Sequence, residues 1–289
     1  MKTIKFHKSA CGVDILLNVL RGDDVIVNYQ ERETYNTDFF EILIFKKASG
    51  TLILNQKKIT ITDNTVLFIS PFQKRKWELD PNNLDFTILA FQEDFLNDFF
   101  SDKLFTYRLL YFYQLNHPLN IQISRQEIDK ACDILTEIKT ELVDRNPDSI
   151  HIVRSLTYYL LLKFNREYAS VNKLPMHKPE NNYAYQYKQL LELYIKDKKR
   201  IDDYAFLLGI SRITINSAAK KQFNVTATHL LKQRLLFEIK NYLIHSGKNV
   251  SEIADELNFS EPSHLMRFFK IQTGMTTSEF LADYQNGIF

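Results

Sequence analysis

The feature that most constrains the fold of this 289-residue chain is a duplication near its C-terminal end. The stretch RIDDYAFLLGISRITINSAAKKQFNVTATHLL, which begins at Arg200, resembles NVSEIADELNFSEPSHLMRFFKIQTGMTTSEFL, which begins at Asn249. Ala205 aligns with Ala254, 49 residues later, and after one extra residue Lys220 aligns with Lys270, 50 residues later. Each copy predicts two short helices that cross at a small alanine and are joined by a tight turn.

Turn and cap residues occur at matching places in the two copies. Gly209 and Asn258 fall in the turn, where we expect a positive φ, which Gly adopts freely and Asn at low cost. Ser211 and Ser260 follow, and a serine at the start of a helix accepts hydrogen bonds from its free backbone N–H groups. The second helix of each copy is therefore predicted to begin at these serines.

A single copy could be a structural helical hairpin, but two copies joined by a helix favour nucleic-acid binding. The joining segment THLLKQRLLFEIKNYLIHSG predicts a rod of about nineteen residues. At ~1.5 Å per residue it is roughly 28 Å long, which is comparable to the ~34 Å between successive major-groove faces of B-DNA. One chain could then place two recognition helices in adjacent grooves.

The region from Tyr183 to Tyr284 resembles the paired helix-turn-helix domain of AraC-type (AraC/XylS family) transcription regulators. The stretches that carry the resemblance are YAFLLGIS, LKQRLLFEIKNYL, VSEIADELNFSEPSHLMRFFK and TGMTTSEFL. The resemblance implies double-stranded DNA as a partner and RNA polymerase as a second one. It also implies activation of transcription.

The resemblance also implies which side chains face DNA. Asn216 suits an adenine edge, and Arg267 suits a guanine or a phosphate. Ile213 suits a thymine methyl group, whereas lysines contact phosphates and position the protein without reading sequence. The implied set is Arg212, Ile213, Thr214, Asn216, Ser217 and Lys220 in the first copy, and Pro262, Ser263, His264, Met266, Arg267 and Lys270 in the second.

The whole chain is predicted to be α+β. Residues 1–120 are rich in β-branched and aromatic runs and resemble the cupin-like β-barrel or sandwich of the same family, with helices. Residues 121–170 predict a helical pair, residues 171–182 a linker, and residues 183–289 an all-α DNA-binding domain with two helix-turn-helix motifs. From Asn182 onward, 14 lysines and arginines stand against 11 aspartates and glutamates, a modest basic excess of the sign that DNA requires.

The clearest single helix is SRQEIDKACDILTEIKTELVD, which begins at Ser124. Ser124 with Glu127 predicts a capping box. An apolar stripe follows at three- and four-residue steps and either packs on the barrel or forms the seam of a homodimer. The stripe consists of Ile128, Ala131, Cys132, Leu135, Ile138 and Leu142.

Enzymatic and metal chemistry are not predicted. None of the seven histidines lies between Phe39 and Phe91, where a metal-binding cupin would need converging ligands. We recognise no phosphate-binding glycine loop, nucleophile–base motif or catalytic residue, and expect no cofactor. Cys11 and Cys132 are isolated and do not form a disulfide framework. With no apolar run of membrane-spanning length, a cytoplasmic protein is the expectation.

An effector pocket in the N-terminal half remains open. Phe39, Phe45, Arg75 and Trp77 are candidate lining residues, because pockets combine aromatic walls with few polar groups. Arg75 would suit a carboxylate or phosphate. The simpler alternative is that the aromatics are core and that QKRKW is a solvated hairpin.

Three functions are compatible with these patterns. The leading one is a sequence-specific DNA-binding transcription regulator with an N-terminal effector-binding or dimerisation domain. The second is a non-metal cupin-fold small-molecule binding protein or enzyme with an appended helical domain. The third is an architectural protein that binds DNA without sequence preference.

Overall fold

The structure is a computed structural model that describes residues 2–4, 17–22, 34–55, 57–92, 95, 105, 109–113, 117–174 and 183–286. The chain divides into two compact units, and the division near residue 180 falls within the predicted linker. Apart from a short segment near residue 13, the N-terminal unit extends to residue 179 and the C-terminal unit follows it.

The N-terminal unit is built on an eight-stranded sheet. The order is β1-β3-β7-β4-β6-β8, with β2 also pairing with β7 and β5 with β4; the pairs are antiparallel except for β1 with β3. The strands are β1 (Lys2–Ile4), β2 (Leu17–Arg21), β3 (Tyr35–Thr37), β4 (Phe40–Leu54), β5 (Lys57–Ile61), β6 (Thr65–Ile69), β7 (Arg75–Phe91) and β8 (Asn120–Gln122).

Two long strands, β4 and β7, form the centre of this sheet. Their ladder extends from Phe40 opposite Phe91 to Leu54 opposite Arg75, with an irregularity near Gly50. Gly50 has φ 146°, and a Cβ there would lie 2.3 Å from the Glu78 carbonyl oxygen. A side chain cannot fit, so glycine is required where the long strands bend.

Aromatic residues pack between one side of the sheet and the helices that cover it. Phe68 of β6 stacks on Tyr111, with ring centroids 4.0 Å apart, and meets the edges of Phe164 and Tyr168. The buried Tyr111 hydroxyl donates to the Leu161 carbonyl, and burial raises the pKa of Tyr111 well above its ordinary value. Helices α1 (Leu110–Tyr113) and α3 (Ser149–Val171) supply these contacts, and α2 (Arg125–Asp144) also packs on the sheet.

The predicted stripe of α2 is confirmed, since all six of its residues are buried. They pack within the unit, where α2 contacts α3 and strands β2, β4 and β7. The stripe itself therefore packs inside the unit, and dimerisation through the helical pair stays a prediction. Ser124 caps α2 by accepting from the Glu127 N–H, whereas the Glu127 carboxylate pairs with Lys130 and Lys163 instead of completing a capping box.

The C-terminal unit is helical throughout its described part. Its helices are α4 (Tyr183–Tyr194), α5 (Ile201–Leu208), α6 (Arg212–Phe223), α7 (Ala227–His245), α8 (Val250–Glu256), α9 (Pro262–Thr273) and α10 (Thr277–Asn286). The two repeats correspond to α5–α6 and α8–α9, and α7 contacts all four of these helices. Within the ranges given above, none of the chain's helices combines the length and apolarity that crossing a membrane demands.

Candidate nucleic-acid interface

The turns of the two repeats have the same backbone geometry. Gly209 has φ 65° and Asn258 has φ 51°, as predicted from their position. The residue after each turn position donates its N–H to the crossing alanine, from Ile210 to Ala205 at 3.0 Å and from Phe259 to Ala254 at 2.8 Å. Both alanines are buried, so a larger side chain would force the paired helices apart.

The two second helices begin differently. Ser211 caps α6 as predicted, and its hydroxyl accepts from the Thr214 N–H at 3.1 Å. Ser260 does not cap α9, so that prediction is wrong: α9 begins at Pro262 after Glu261, and Ser260 Oγ instead pairs with His264 Nδ1 at 2.8 Å. The extra residue in the second repeat shifts the start of the helix by one position.

Helices α6 and α9 turn one face inward and leave the other exposed. Ile215 and Leu265, which occupy matching positions in the two repeats, are fully buried. Ile213 on α6 is 81% exposed and Met266 on α9 is 45% exposed, although both are apolar. Apart from Asn216 and Pro262, which are half-buried, the predicted DNA-facing side chains are exposed: Arg212, Ile213, Thr214, Ser217, Lys220, Ser263, His264, Met266, Arg267 and Lys270.

Asn216, which was predicted to read an adenine edge, makes two hydrogen bonds within the unit. Its Oδ1 accepts from the Ala227 N–H at 3.0 Å, and its Nδ2 donates to the Arg212 carbonyl at 3.0 Å. Ala227 is the first residue of α7, whose opening N–H groups need acceptors from outside the helix. The amide therefore holds α6 against the start of α7, and its role in reading a base stays a prediction.

Charge at this surface is basic at the ends of α6 and α9. Lys220 and Lys221 lie in the last turn of α6, and Lys270 lies in the last turn of α9, where the helix dipole favours cations. Arg212 pairs with Asp202 at 3.3 Å, but both side chains are more than half exposed, so this ion pair is weak and exchangeable. Arg212 can therefore leave Asp202 for a phosphate.

Buried polar contacts hold α7 against α4. Arg234 of α7 is 9% exposed and donates to Glu192 of α4 at 2.7 Å and to Glu238 at 2.5 Å. The Tyr187 hydroxyl donates to the Ala227 carbonyl at 2.8 Å, and burial raises the pKa of Tyr187 far above its ordinary range. These contacts make α7 a rigid part of the unit.

The basic segment Lys196–Arg200 lies between α4 and α5. In the structure, Lys196 donates to the Tyr242 hydroxyl at 2.9 Å, and Lys199 donates to the Asn258 carbonyl at 2.8 Å. Both lysines therefore contact other parts of the unit. The sequence feature connected with the Lys199 contact is that the turn residue of the second repeat is Asn258, where the first repeat has Gly209.

The four predicted effector residues lie close together inside the N-terminal unit. Phe45 and Trp77 belong to one buried cluster, with ring centroids 6.4 Å apart, and Phe39 packs at its edge. Arg75 is fully buried and forms an ion pair with Glu41 and a hydrogen bond with Thr37. The alternative of a solvated QKRKW hairpin is thus wrong for Arg75 and Trp77, because strand alternation turns them inward while Lys74 and Lys76 face outward.

Arg75 is also poorly placed for the carboxylate or phosphate that the sequence suggested. Glu41 already supplies its counter-charge, and its guanidinium lies over the Tyr35 ring at 5.2 Å. Trp77 Nε1 donates to the Tyr35 hydroxyl at 3.0 Å, which extends the same polar network. Among the described residues, no group of three or more histidine, cysteine or carboxylate side chains could hold a metal ion.

Two helix-turn-helix units, each with an exposed second helix and joined by one anchored helix, define a DNA-binding protein of the paired helix-turn-helix class. Residues 204–283 match the family model described as "Helix-turn-helix domain". The "HTH-type transcriptional activator RhaS" of Enterobacter sp. (strain 638) is 23% identical over 240 residues, and the match covers 82% of each chain. The RhaS of Escherichia coli (strain K12 / DH10B) is 22% identical over 241 residues with the same coverage.

A solved structure, that of ToxT from Vibrio cholerae O395, aligns with 92% of this chain and 96% of its own at 14% identity and a TM-score of 0.44. The sequence matches extend beyond the helix-turn-helix domain into the N-terminal unit. Residues 204–283 therefore carry a helix-turn-helix domain, and the chain is similar over most of its length to transcriptional activators named RhaS.

Proposed function

We propose that this regulator activates transcription by binding a specific duplex site with α6 and α9 in successive major grooves. The observation that carries the proposal is the pair of recognition helices, each with a buried inner face and an exposed outer face, on one anchored helix. The relatives named above are called activators, which supports activation in place of repression. RNA polymerase is the partner that activation requires.

The exposed residues divide by the contact that each chemistry allows. Arg267 can donate two parallel hydrogen bonds to a guanine edge, and Ile213 can cover a thymine methyl group. Lys220, Lys221 and Lys270 suit phosphates and therefore set position and salt dependence. Asn216 is assigned to holding α6 in place, so it is left out of the base-reading set.

The N-terminal unit is proposed as the regulatory half, through a small-molecule effector, a second copy of the chain, or both. Support for an effector is limited to the clustering of Phe39, Phe45 and Trp77, and Arg75 is excluded as its direct anchor because Glu41 neutralises it. We propose no enzymatic activity. The single tryptophan, Trp77, lies in this cluster, so its fluorescence should report any ligand that enters.

The DNA-binding proposal is tested by selecting sites from a random duplex library with the full-length protein. We expect one bipartite consensus whose halves are about one helical turn apart. Arg267→Ala should weaken binding to that site by about 1–3 kcal/mol and relax preference at one base pair. Arg267→Lys is the matched control: it keeps the charge and loses the bidentate fork, so base reading predicts a loss and phosphate contact predicts near-normal binding.

Salt dependence separates the phosphate contacts from the base contacts. Lys270→Gln should reduce the slope of log affinity against log salt by about one and weaken binding evenly across sequences. A flat selection profile, with no consensus at any salt concentration, would replace this proposal with the architectural alternative.

A further inference from the structure

A set of polar contacts joins the two helix-turn-helix motifs away from their recognition helices. The segment between α4 and α5 contributes Lys196, Asp197 and Lys199, and the turn between α8 and α9 contributes Asn258 and Phe259. These five residues are referred to below as the clasp. The first three belong to the side of the first motif, because α4 packs on α5 and α6, whereas the last two lie inside the second motif.

Contacts in the clasp form in both directions. Lys199 Nζ donates to the Asn258 carbonyl at 2.8 Å and lies 5.0 Å from the centre of the Phe259 ring. In return, Asn258 Nδ2 donates to Asp197 Oδ1 at 3.0 Å and to the Lys196 carbonyl at 3.4 Å. A charged donor, a ring face and a side-chain amide together restrict sliding and rotation of the two segments.

The turn residue itself indicates that the contact has been built in. Both repeats need a positive φ at this position, and glycine meets that need without strain, as Gly209 does in the first repeat. The second repeat has Asn258, whose backbone costs more in this conformation but whose amide reaches Asp197. The backbone requirement alone does not explain the choice of asparagine, whereas the clasp does.

The clasp continues to the far end of the connecting helix. Lys196 Nζ donates to the hydroxyl of Tyr242, near the end of α7, at 2.9 Å, and this hydrogen bond raises the pKa of Lys196. Lys248, which pairs with Glu256 of α8, lies 5.8 Å from the centre of the same Tyr242 ring. The second motif is thereby tied both to α7 and to the first motif.

We propose that the clasp fixes the orientation of α9 relative to α6 and so sets the spacing of the two DNA half-elements that the protein accepts. This inference rests on the proposed function of two-headed duplex binding. Two motifs held only through α7 would twist and bend relative to each other, and binding both half-elements would then require ordering them. A formed clasp provides that order before DNA binds, and Asn258 is accordingly a positioning residue.

Asn258→Gly is the cleanest perturbation. Glycine keeps the left-handed backbone of the turn and removes only the side-chain amide. Gly209→Asn is the matched control, because it places the same amide at the equivalent turn of the first repeat, where a Cβ meets no atom within 4 Å. Lys199→Met removes the hydrogen bond from Lys199 to the Asn258 carbonyl and keeps an apolar side chain against Phe259.

Binding is measured on the duplex chosen by the selection above, on versions with either half scrambled, and on versions with one base pair inserted between the halves. Asn258→Gly should weaken binding to the intact site roughly three- to tenfold, as expected for one or two lost polar contacts. It should leave the single-half duplexes unchanged and reduce the penalty for the inserted base pair. Equal weakening on single-half duplexes would overturn the proposal, because Asn258 would then serve the second motif alone.

A second measurement needs no DNA. Spin labels at Ser217→Cys and Ser263→Cys, in full-length protein with Cys11→Ser and Cys132→Ala, report the distance between α6 and α9. The distribution should be narrow with the clasp intact, equally narrow in Gly209→Asn, and broader in Asn258→Gly and Lys199→Met. If the width of the distance distribution is unchanged in both clasp variants, the inference is refuted, whatever the DNA selection yields. If the distribution broadens but the selection yields no consensus site, only the DNA-binding proposal is refuted.

Discussion

Breaking the buried ion pair between Arg75 and Glu41 tests whether Arg75 is structural. Arg75 has no exposed side-chain surface and Glu41 has 4%. Thr37 bonds to both, since its hydroxyl donates to Glu41 Oε2 at 3.1 Å and accepts from Arg75. We expect Arg75→Met to leave the Glu41 carboxylate without its counter-charge in the interior of the N-terminal unit.

The magnitude follows from burial. Removing one member of a buried ion pair costs about 3–5 kcal/mol, because the remaining charge stays desolvated and unpaired. With a urea dependence of about 2 kcal/mol per molar, the unfolding midpoint should fall by roughly 2 M. The double variant Glu41→Leu with Arg75→Met should recover most of this loss, since a well-packed apolar pair is often as stable as the ion pair that it replaces.

Tryptophan fluorescence makes the assay specific to one unit. Trp77 is the only tryptophan, it is buried two residues from Arg75, and its indole donates to Tyr35 in the same network. Its emission should therefore follow unfolding of the N-terminal unit, whereas circular dichroism follows both units. This distinction is needed because a two-unit chain does not unfold in one step by default.

Two results would refute this reasoning. If Arg75→Met unfolds within about 1 kcal/mol of the wild type, the arginine is hydrated and free to bind a ligand. If the double variant is no more stable than Arg75→Met alone, the loss comes from packing and not from an orphaned charge. The first outcome would restore Arg75 as a candidate effector contact, whereas the second would leave it structural but refute the ion-pair explanation.

Two further predictions concern the C-terminal unit. Asn216→Ala should lower the stability of the C-terminal unit by about 1–2 kcal/mol in urea unfolding followed by circular dichroism, because the Ala227 N–H loses its acceptor. The control Ser217→Ala, at the neighbouring exposed position, should change stability little. An altered base preference with unchanged stability would return Asn216 to the base-reading set. Glu279 caps α10 by accepting from the Thr276 N–H, and this hydrogen bond lowers the pKa of the Glu279 carboxyl. The stability that the ionised cap contributes is therefore fully present above the pKa of Glu279 in the unfolded chain, and it is lost as pH falls through the lower pKa of the folded state. The difference in thermal midpoint between wild type and Glu279→Gln should therefore shrink from about pH 6 to about pH 3, and a difference that stays constant would rule out the ionised cap.

The C-terminal unit was largely predictable because its signals are local. The small alanines, the positive-φ turns and the Ser211 cap each require only a few neighbouring residues to be read correctly. Prediction was wrong where the repeats differ in length, since the register that placed Ser260 at the helix start ignored the extra residue before Pro262. The hydrogen bond from the Ala227 N–H to Asn216 was not predicted, because Ala227 lies on the next helix.

The N-terminal unit was less predictable because its decisive contacts join residues far apart in sequence. Strand composition indicated a sheet, but no local pattern tells that Arg75 meets Glu41, 34 residues earlier. A basic run such as QKRKW is solvated in most chains, and here alternation along β7 buries its second charge. The α2 stripe was readable as apolar, but whether it covers the sheet or a second subunit depends on the tertiary fold.

The outer faces of α6 and α9 carry apolar residues that the fold does not use. Ile213 is 81% exposed at the start of α6, where a β-branched residue also has lower helix propensity than alanine or a long polar side chain. Ile271 near the end of α9 is 68% exposed. Single exposed apolar residues are common, so neither position alone implies a function. Ile213 follows Arg212 and Ile271 follows Lys270, and the proposed DNA interface would place both against thymine methyl groups between phosphate contacts.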